Sequence, residues 1–188
     1  MRRHNGFTLT ELMMALAIAS ILLAIAAPNM ASFLRNNTLQ AQAAKSVGAV
    51  KFARSEAVKR RAKVILCRTA DPTATSPVCG GSANTWTSGY LIFVSGDTNS
   101  TYEPATDTLV RVGPAAPNSI EVLTSSACNQ NLEYDSDGTT NESGSTCFMS
   151  ICDDRGDDSG YLIRVRPAGR PDVLYGSDGA VNCSNPGA

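Results

Sequence analysis

The sequence predicts an α+β fold, in which a long N-terminal helix is followed by a head of antiparallel strands. Three observations lead to this prediction. Helix-forming apolar residues fill the segment from Leu12 to Ala27, with Ser20 as the only interruption. Apolar residues then recur at spacings of three and four as far as Ala57, which is the period of an amphipathic helix. Beyond Lys63 the pattern changes to short apolar runs bounded by Gly, Asn, Asp or Pro, which is typical of strands joined by turns.

The N-terminal segment has the composition of a membrane-spanning helix. With Met30 and Ala31 included, the apolar run approaches the ~20 residues that a helix needs to cross a bilayer. The basic leader before it contains no apolar region, and no small-residue cleavage site follows the run, so a conventional secretory signal is not indicated. Glu11 lies at the front edge of the run, where an unpaired charge would be costly. Its position therefore predicts a charged partner.

Residues 6–11, GFTLTE, followed by a hydrophobic helix, resemble the class III signal of type IV prepilins and type II secretion pseudopilins. The resemblance implies a type IV pilin fold, cleavage between Gly6 and Phe7 by a prepilin peptidase, and N-methylation of the new Phe7 amine. It also implies that the Glu11 carboxylate pairs with this amine in a neighbouring subunit as a filament grows. Pro28 falls where such helices commonly carry a proline, which removes one backbone hydrogen bond and bends or loosens the helix. The alternative is an ordinary membrane anchor with an incidental glutamate.

Charge is distributed unevenly along the chain. Residues 32–63 contain eight basic residues and one acidic residue, whereas residues 69–188 contain five basic and fifteen acidic residues. The helix is therefore basic and the head acidic. We divide the chain into a leader (1–6), a transmembrane or filament-core helix (7–31), an amphipathic helix packed on the head (32–63), and a disulfide-bonded β head (64–188).

The six cysteines all follow the apolar segment, in a head that the signal places outside the cytoplasm. An even number of cysteines in an oxidising compartment predicts up to three disulfides. A zinc site is the alternative, but no Cys-x2-Cys pair is present and the only histidine, His4, lies in the leader. Among the many possible pairings we favour the local loop Cys67–Cys79. For the others we favour Cys128 with Cys147 and Cys152 with Cys183.

A second stretch, ARSEA at residues 53–57, lies at the end of the predicted helix and leads into a strand. It resembles the GspH/FimT branch of pseudopilins and minor pilins, in particular the FimU-type minor pilins. Glu56 can pair with Lys59 or Arg60 at helical spacing, and basic residues at this end of the helix complement its dipole. The head is predicted to be all β, with strands at 64–67, 90–94, 109–112, 120–123, 147–152, 161–165 and 172–175. Trp86 is predicted to be a core or loop anchor.

Three arginines near the C-terminus raise the question of DNA binding. DNA-binding FimT-like minor pilins carry a Gly-Arg-x-Arg motif, and the aligned stretch here is GRPD, residues 169–172, in which an acid replaces the second arginine. Arg164 and Arg166 are spaced to share one face of a strand and could join Arg170 in a small basic patch. Three arginines on an acidic head would give only weak, salt-sensitive binding.

Two acidic segments have unremarkable explanations. Residues 135–142 offer oxygen ligands to calcium, but their spacing does not match an EF-hand and Asp-Gly is a common turn. Residues 153–158 contain an Arg-Gly-Asp tripeptide, which a turn between strands explains. No nucleophile motif or phosphate-binding glycine pattern is present, and the chain after the leader has no histidine. We therefore expect neither an enzyme nor a bound cofactor or metal.

The sequence favours a minor pilin that enters a type IV pilus and helps to initiate its assembly in a tip or priming complex. The resemblance implies a single-pass protein of the bacterial inner membrane, with its head in the periplasm, that later reaches the pilus and cell surface. Its implied partners are other minor and major pilins, the prepilin peptidase and the inner-membrane assembly machinery. Two alternatives remain: a FimT-like DNA-binding pilin for natural transformation, and a GspH-like pseudopilin of type II secretion.

Overall fold

The structure, a computed structural model, describes residues 7–97, 99–128, 130–140 and 145–187, and describes only the backbone at residues 26–29. Within these residues it contains one α-helix and eight strands. In chain order these are α1 (Leu9–Arg60), β1 (Val64–Arg68), β2 (Tyr90–Val94), β3 (Thr108–Gly113), β4 (Glu121–Thr124), β5 (Asn131–Tyr134), β6 (Cys147–Cys152), β7 (Tyr161–Val165) and β8 (Pro171–Tyr175).

The chain divides into two compact units between Thr38 and Leu39. The first unit holds the N-terminal part of α1, and the second holds the remainder of α1 and all eight strands. The helix is assigned without a break across Pro28, so the proline does not end it. One long N-terminal helix and antiparallel sheets make up the α+β arrangement that the sequence predicts.

The helix ends at Arg60, short of the predicted Lys63, because the next residue leaves the helical conformation. Arg61 has φ 52°, in the left-handed region, and the Ala62 N–H donates to the Ala57 carbonyl at 3.3 Å. This is the hydrogen-bond pattern of a Schellman motif, which satisfies a carbonyl at the helix end. Glu56 stabilises the same turn, since its carboxylate accepts from Arg60 Nε at 2.6 Å and lies 3.5 Å from Lys59 Nζ.

The head consists of two four-stranded sheets, and every strand pair is antiparallel. The first sheet has the order β3-β2-β1-β5, and the second has the order β4-β6-β7-β8. The main core lies where α1 meets both sheets. It combines the predicted helix stripe with inward residues of the strands, including Leu39, Val50, Ala53, Ala57, Leu66, Ile92, Ile151 and Ile163. Trp86 is buried in this core, consistent with its expected role as an anchor.

The outer faces of the sheets are also covered, which explains why β1 is buried at all five positions. Ile65, Leu91 and Phe93 pack with Tyr102 on the far face of the first sheet. On the second sheet, Leu162 packs with Val181 of the C-terminal segment. Two disulfides join these coverings to the sheets, Cys67–Cys79 and Cys152–Cys183, with Cα–Cα distances of 5.7 and 5.9 Å. A third, Cys128–Cys147, lies in the main core, with a Cα–Cα distance of 5.4 Å. These are the pairs that the sequence favoured.

Seven of the eight strands were predicted from the sequence, and the strand that was not predicted is β5. Its four residues alternate between buried Leu132 and Tyr134 and half-buried Asn131 and Glu133, so it offers only two apolar side chains to a sequence pattern. Pairing with β1 stabilises it, and Lys63 Nζ lies 3.0 Å from the Glu133 carboxylate.

Candidate functional site

The start of α1 carries a local hydrogen-bond arrangement around Glu11. The Glu11 N–H donates to Thr8 Oγ1 at 3.3 Å, and the Thr8 hydroxyl donates to the Glu11 carboxylate at 3.5 Å. A threonine three residues before a glutamate is the spacing of a capping box, which satisfies donors at a helix start. Phe7 is 82% exposed, and Gly6 lies outside the described residues.

The N-terminal unit exposes an apolar surface that its own fold does not cover. Among the described residues, α1 is the one helix long and apolar enough to cross a membrane. None of its most apolar 18-residue segment is buried within the protein. Exposed side chains include Leu12, Met13, Leu16, Ile18, Ile21, Leu22, Leu23 and Ile25. Such a surface requires lipid or other protein segments around it.

Arg164 and Arg166 share a single counter-charge. Arg164 lies opposite Asp172 in the β7–β8 ladder, and its Nε donates to the Asp172 carboxylate at 3.0 Å. Arg166 Nη2 lies 3.6 Å from the same carboxylate. The hydrogen bond from Arg164 holds the pKa of Asp172 below its usual value. This carboxylate therefore offsets one of the two positive charges that the sequence assigned to these arginines.

Arg170 lies in a different setting, a concave surface that we call the basic groove. It is open to solvent, has a volume of about 730 Å³, and is formed by α1 and the loops before β6 and β8. In the part of the chain that the structure describes, its lining includes four cationic side chains and one carboxylate; neither Arg164 nor Arg166 lines it. The lining residues are Lys51, Arg54, Ser55, Val58, Lys59, Asp137, Arg170 and Pro171.

Arg54 fastens the two loops of the basic groove to α1. Its Nε donates to the Gly138 carbonyl at 2.8 Å, and its Nη2 donates to the Ala168 carbonyl at 3.3 Å. Gly169 has φ +75°, and a Cβ there would lie 1.9 Å from the Gly138 carbonyl oxygen. Only glycine fits this approach of two turns. Arg54 and Gly169 together therefore bring Arg170 to the helix.

Tyr134, in β5, contacts the loop at Gly169 from the side of the sheet. Its hydroxyl donates to the Gly169 carbonyl at 3.2 Å, and its side chain is fully buried. Burial raises the pKa of Tyr134 far above its ordinary value, because the ionised phenolate would be poorly solvated. The phenol thus remains a hydrogen-bond donor at physiological pH.

Replacing Arg54 by alanine should weaken the head, because it leaves the Gly138 and Ala168 carbonyls without their shared donor. We expect a loss of about 2 kcal/mol in the free energy of unfolding. Fluorescence of Trp86, the single tryptophan, would follow denaturant unfolding of the full-length protein in detergent micelles. Lys51→Ala is the matched control and should change stability by less than about 0.5 kcal/mol. Equal stability of the two variants would show that Arg54 does not fasten the loops.

Comparison with known proteins shows the family. Residues 42–169, more than half of the chain, match the family model described as Type II transport protein GspH. The chain belongs to the GspH family. Residues 1–27 also match the prokaryotic N-terminal methylation motif. No curated protein sequence matches the chain significantly.

Solved structures share the fold of this GspH-family chain. A crystal structure of the type IV minor pilin FimU from Pseudomonas aeruginosa matches with a TM-score of 0.58 and 21% identity, covering 77% of this chain and 94% of FimU. A second crystal form of FimU gives a TM-score of 0.55 and 20% identity, covering 73% and 94%. Family and fold are those of pilin structural proteins, and the apolar helix with its methylation motif fits inner-membrane anchoring and pilus assembly.

The remaining sequence candidates in this GspH-family head form ordinary turns. Asp137 accepts hydrogen bonds from the Thr139 N–H and hydroxyl at 2.9 and 2.7 Å; residues 141 and 142 of the calcium candidate lie outside the described residues. Within the described part of the chain, no group of three or more His, Cys, Asp or Glu side chains could hold a metal ion.

The Arg-Gly-Asp tripeptide is engaged within the head. Arg155 donates to the Asp153 carboxylate, with Nη2 at 2.7 Å, and the Asp157 carboxylate accepts from the Cys183 N–H at 2.7 Å. Both charged side chains of the tripeptide thus have structural partners.

The basic groove was missed at the sequence level, although its residues were visible as separate groups. Lys51 and Lys59 were counted among the helix cations, and Arg170 was grouped with Arg164 and Arg166. Spacing along α1 could have indicated that Lys51, Ser55 and Lys59 share one face. Nothing in the sequence indicates that Arg170 folds back onto that face.

Proposed function

We propose that this chain is a minor pilin that enters a type IV pilus and helps to initiate its assembly in a priming complex near the tip. The observation that carries the proposal is the uncovered apolar surface of α1 with a carboxylate at its start. Lipid covers that surface before assembly, and neighbouring pilin helices cover it in the filament. The head stays in the periplasm until the subunit is extracted and then reaches the cell surface.

Processing would create the charge that Glu11 needs. A prepilin peptidase would cleave between Gly6 and Phe7, and the new Phe7 amine would be N-methylated. In an apolar filament core, an ammonium and a carboxylate are each costly alone and stabilise one another as a pair. The Glu11 carboxylate of one subunit would therefore pair with the Phe7 amine of a neighbour. This pairing would involve other minor and major pilins and the inner-membrane assembly machinery.

The second candidate is a pseudopilin of type II secretion. The description of the matching family, Type II transport protein GspH, favours it, and such a protein would use the same helix and the same Glu11 chemistry. Only the partner subunits would differ. DNA binding through Arg164 and Arg166 receives less support, because both lie against Asp172.

Deleting the gene in its host tests the proposal, if surface pili, protein secretion and DNA uptake are scored in the same strain. We expect the deletion to reduce surface pili strongly, with DNA uptake falling only as a consequence and secretion unchanged. Expression of the wild-type chain should restore pili. Intact pili with lost secretion would support the pseudopilin instead, and intact pili with lost DNA uptake would support a DNA receptor.

A further inference from the structure

We propose that the basic groove binds the carboxylate-rich surface of a neighbouring pilin-type head. The proposal rests on the proposed assembly function and identifies a contact separate from Glu11 and from the apolar N-terminal part of α1. Among the described residues, the groove lining contains Lys51, Arg54, Lys59 and Arg170 against one carboxylate, Asp137. A surface of this charge attracts an anionic partner.

The cations of the groove differ in what they can offer to a partner. Arg54 is committed to the Gly138 and Ala168 carbonyls. Lys51 and Arg170 are exposed, and the Lys59 side chain is 75% exposed although Glu56 lies nearby. Lys51 and Arg170 are therefore the residues through which a partner should be attracted, while Arg54 holds the shape of the groove.

The floor of the groove favours a protein partner over a polyphosphate. Val58 is 48% exposed and lines the groove together with Pro171, so an occupant meets apolar surface as well as positive charge. A loop with carboxylates beside apolar atoms satisfies both. A nucleic-acid backbone would gain little from the apolar floor, since its affinity comes from phosphate contacts with cations.

The head of this chain also carries an acidic surface, which is complementary in charge to the basic groove. A second groove of about 530 Å³ is lined, among the described residues, by Glu121, Asp153 and Asp154. Arg155 binds the nearly buried Asp153 carboxylate, so Glu121 and Asp154 supply the exposed negative charge of this groove. Both grooves belong to the same head, so a contact between two such heads joins unlike surfaces. Repeated contacts between unlike surfaces generate rings or open helical assemblies rather than two-fold symmetric pairs. An open helical assembly is the arrangement that the proposed function requires.

Site-specific photo-crosslinking in the host tests the proposal with the full-length chain. A photoreactive amino acid at Ser55, which is exposed in the groove, should capture a pilin-type subunit through a carboxylate-rich peptide that mass spectrometry identifies. The same amino acid at Ser177, exposed and outside the groove, is the control site. The yield at Ser55 should fall as salt rises, because the attraction is electrostatic.

The second part of the test reverses the charge of two residues that line the basic groove. We expect Lys51→Glu with Arg170→Glu to lower the yield at Ser55 by about 10-fold or more, because like charges then meet in the contact. Lys45→Glu with Arg111→Glu makes the same charge change outside the groove and should lower it by less than about 2-fold. If the first pair fails to fold, as judged by Trp86 fluorescence, Lys51→Gln with Arg170→Gln should still reduce the yield.

Several results would overturn the groove proposal while leaving the pilin assignment intact. They are a wild-type chain present in pili whose Ser55 captures no pilin head, capture of nucleic acid or lipid instead, or equal yields from the two charge-reversed pairs. Absence of the wild-type chain from pili and from any pilin complex would instead contradict the proposed function.

Discussion

Replacing Glu11 by alanine should remove the protein from filaments without affecting its processing. The Phe7 amine of the neighbouring subunit would then be buried in the filament core without a counter-ion, at a cost of several kcal/mol. A cost of this size corresponds to a reduction in incorporation of about 100-fold or more. Immunoblots of sheared filaments measure incorporation, and the mobility shift of the cleaved chain measures processing.

Thr10→Ala is the matched control for this experiment. Thr10 is next to Glu11 and exposed, but it carries no charge, so the variant should enter filaments normally. Normal incorporation of Glu11→Ala would contradict the pairing with the amine. Loss of cleavage in Glu11→Ala would show that the carboxylate acts at processing instead of assembly.

Removing the Cys152–Cys183 disulfide should destabilise the head more than removing Cys67–Cys79. The first closes a sequence separation of 31 residues and holds the C-terminal segment on β6, whereas the second closes only 12. Replacing Cys152 and Cys183 by alanine should lower the free energy of unfolding by about 3–4 kcal/mol. The longer loop gains more entropy in the unfolded chain, which is the reason for the larger loss.

Denaturant unfolding followed by Trp86 fluorescence measures this loss in the full-length protein. The comparison is the double alanine variant of Cys67 and Cys79, whose loss should be smaller by under about 1 kcal/mol. Reduction of the wild-type protein removes all three disulfides and should cost more than either variant. A Cys152/Cys183 variant as stable as the wild type would show that the C-terminal segment does not depend on this link.

The features that sequence reasoning predicted are those with strong local signals. The apolar run, the stripe of α1 and the runs that become β1, β2, β6 and β7 each carry a period or composition that indicates one structure. By contrast, β5 alternates over only four residues and is stabilised by pairing with β1. The division of the strands into two sheets likewise depends on long-range pairing that no local pattern encodes.

Side-chain contacts at the candidate sites are likewise not encoded by local sequence patterns. Asp172 was considered only as an acid that replaces an arginine in a motif. The register of β7 with β8 places it opposite Arg164, where it compensates positive charge. Arg170 reaches α1 because Arg54 and Gly169 join distant turns to the helix. The Arg54 contacts join residues 84 and 114 positions apart, and such contacts cannot be read from spacing.

The N-terminus of the protein recovered from purified filaments tests most directly whether this chain is a processed, assembled pilin. We expect mass spectrometry to find the chain in filaments, with a first peptide that begins at Phe7 and carries one added methyl group on its amine. A chain that keeps Met1 and remains in the membrane fraction, with none recovered in filaments, would show that it is not.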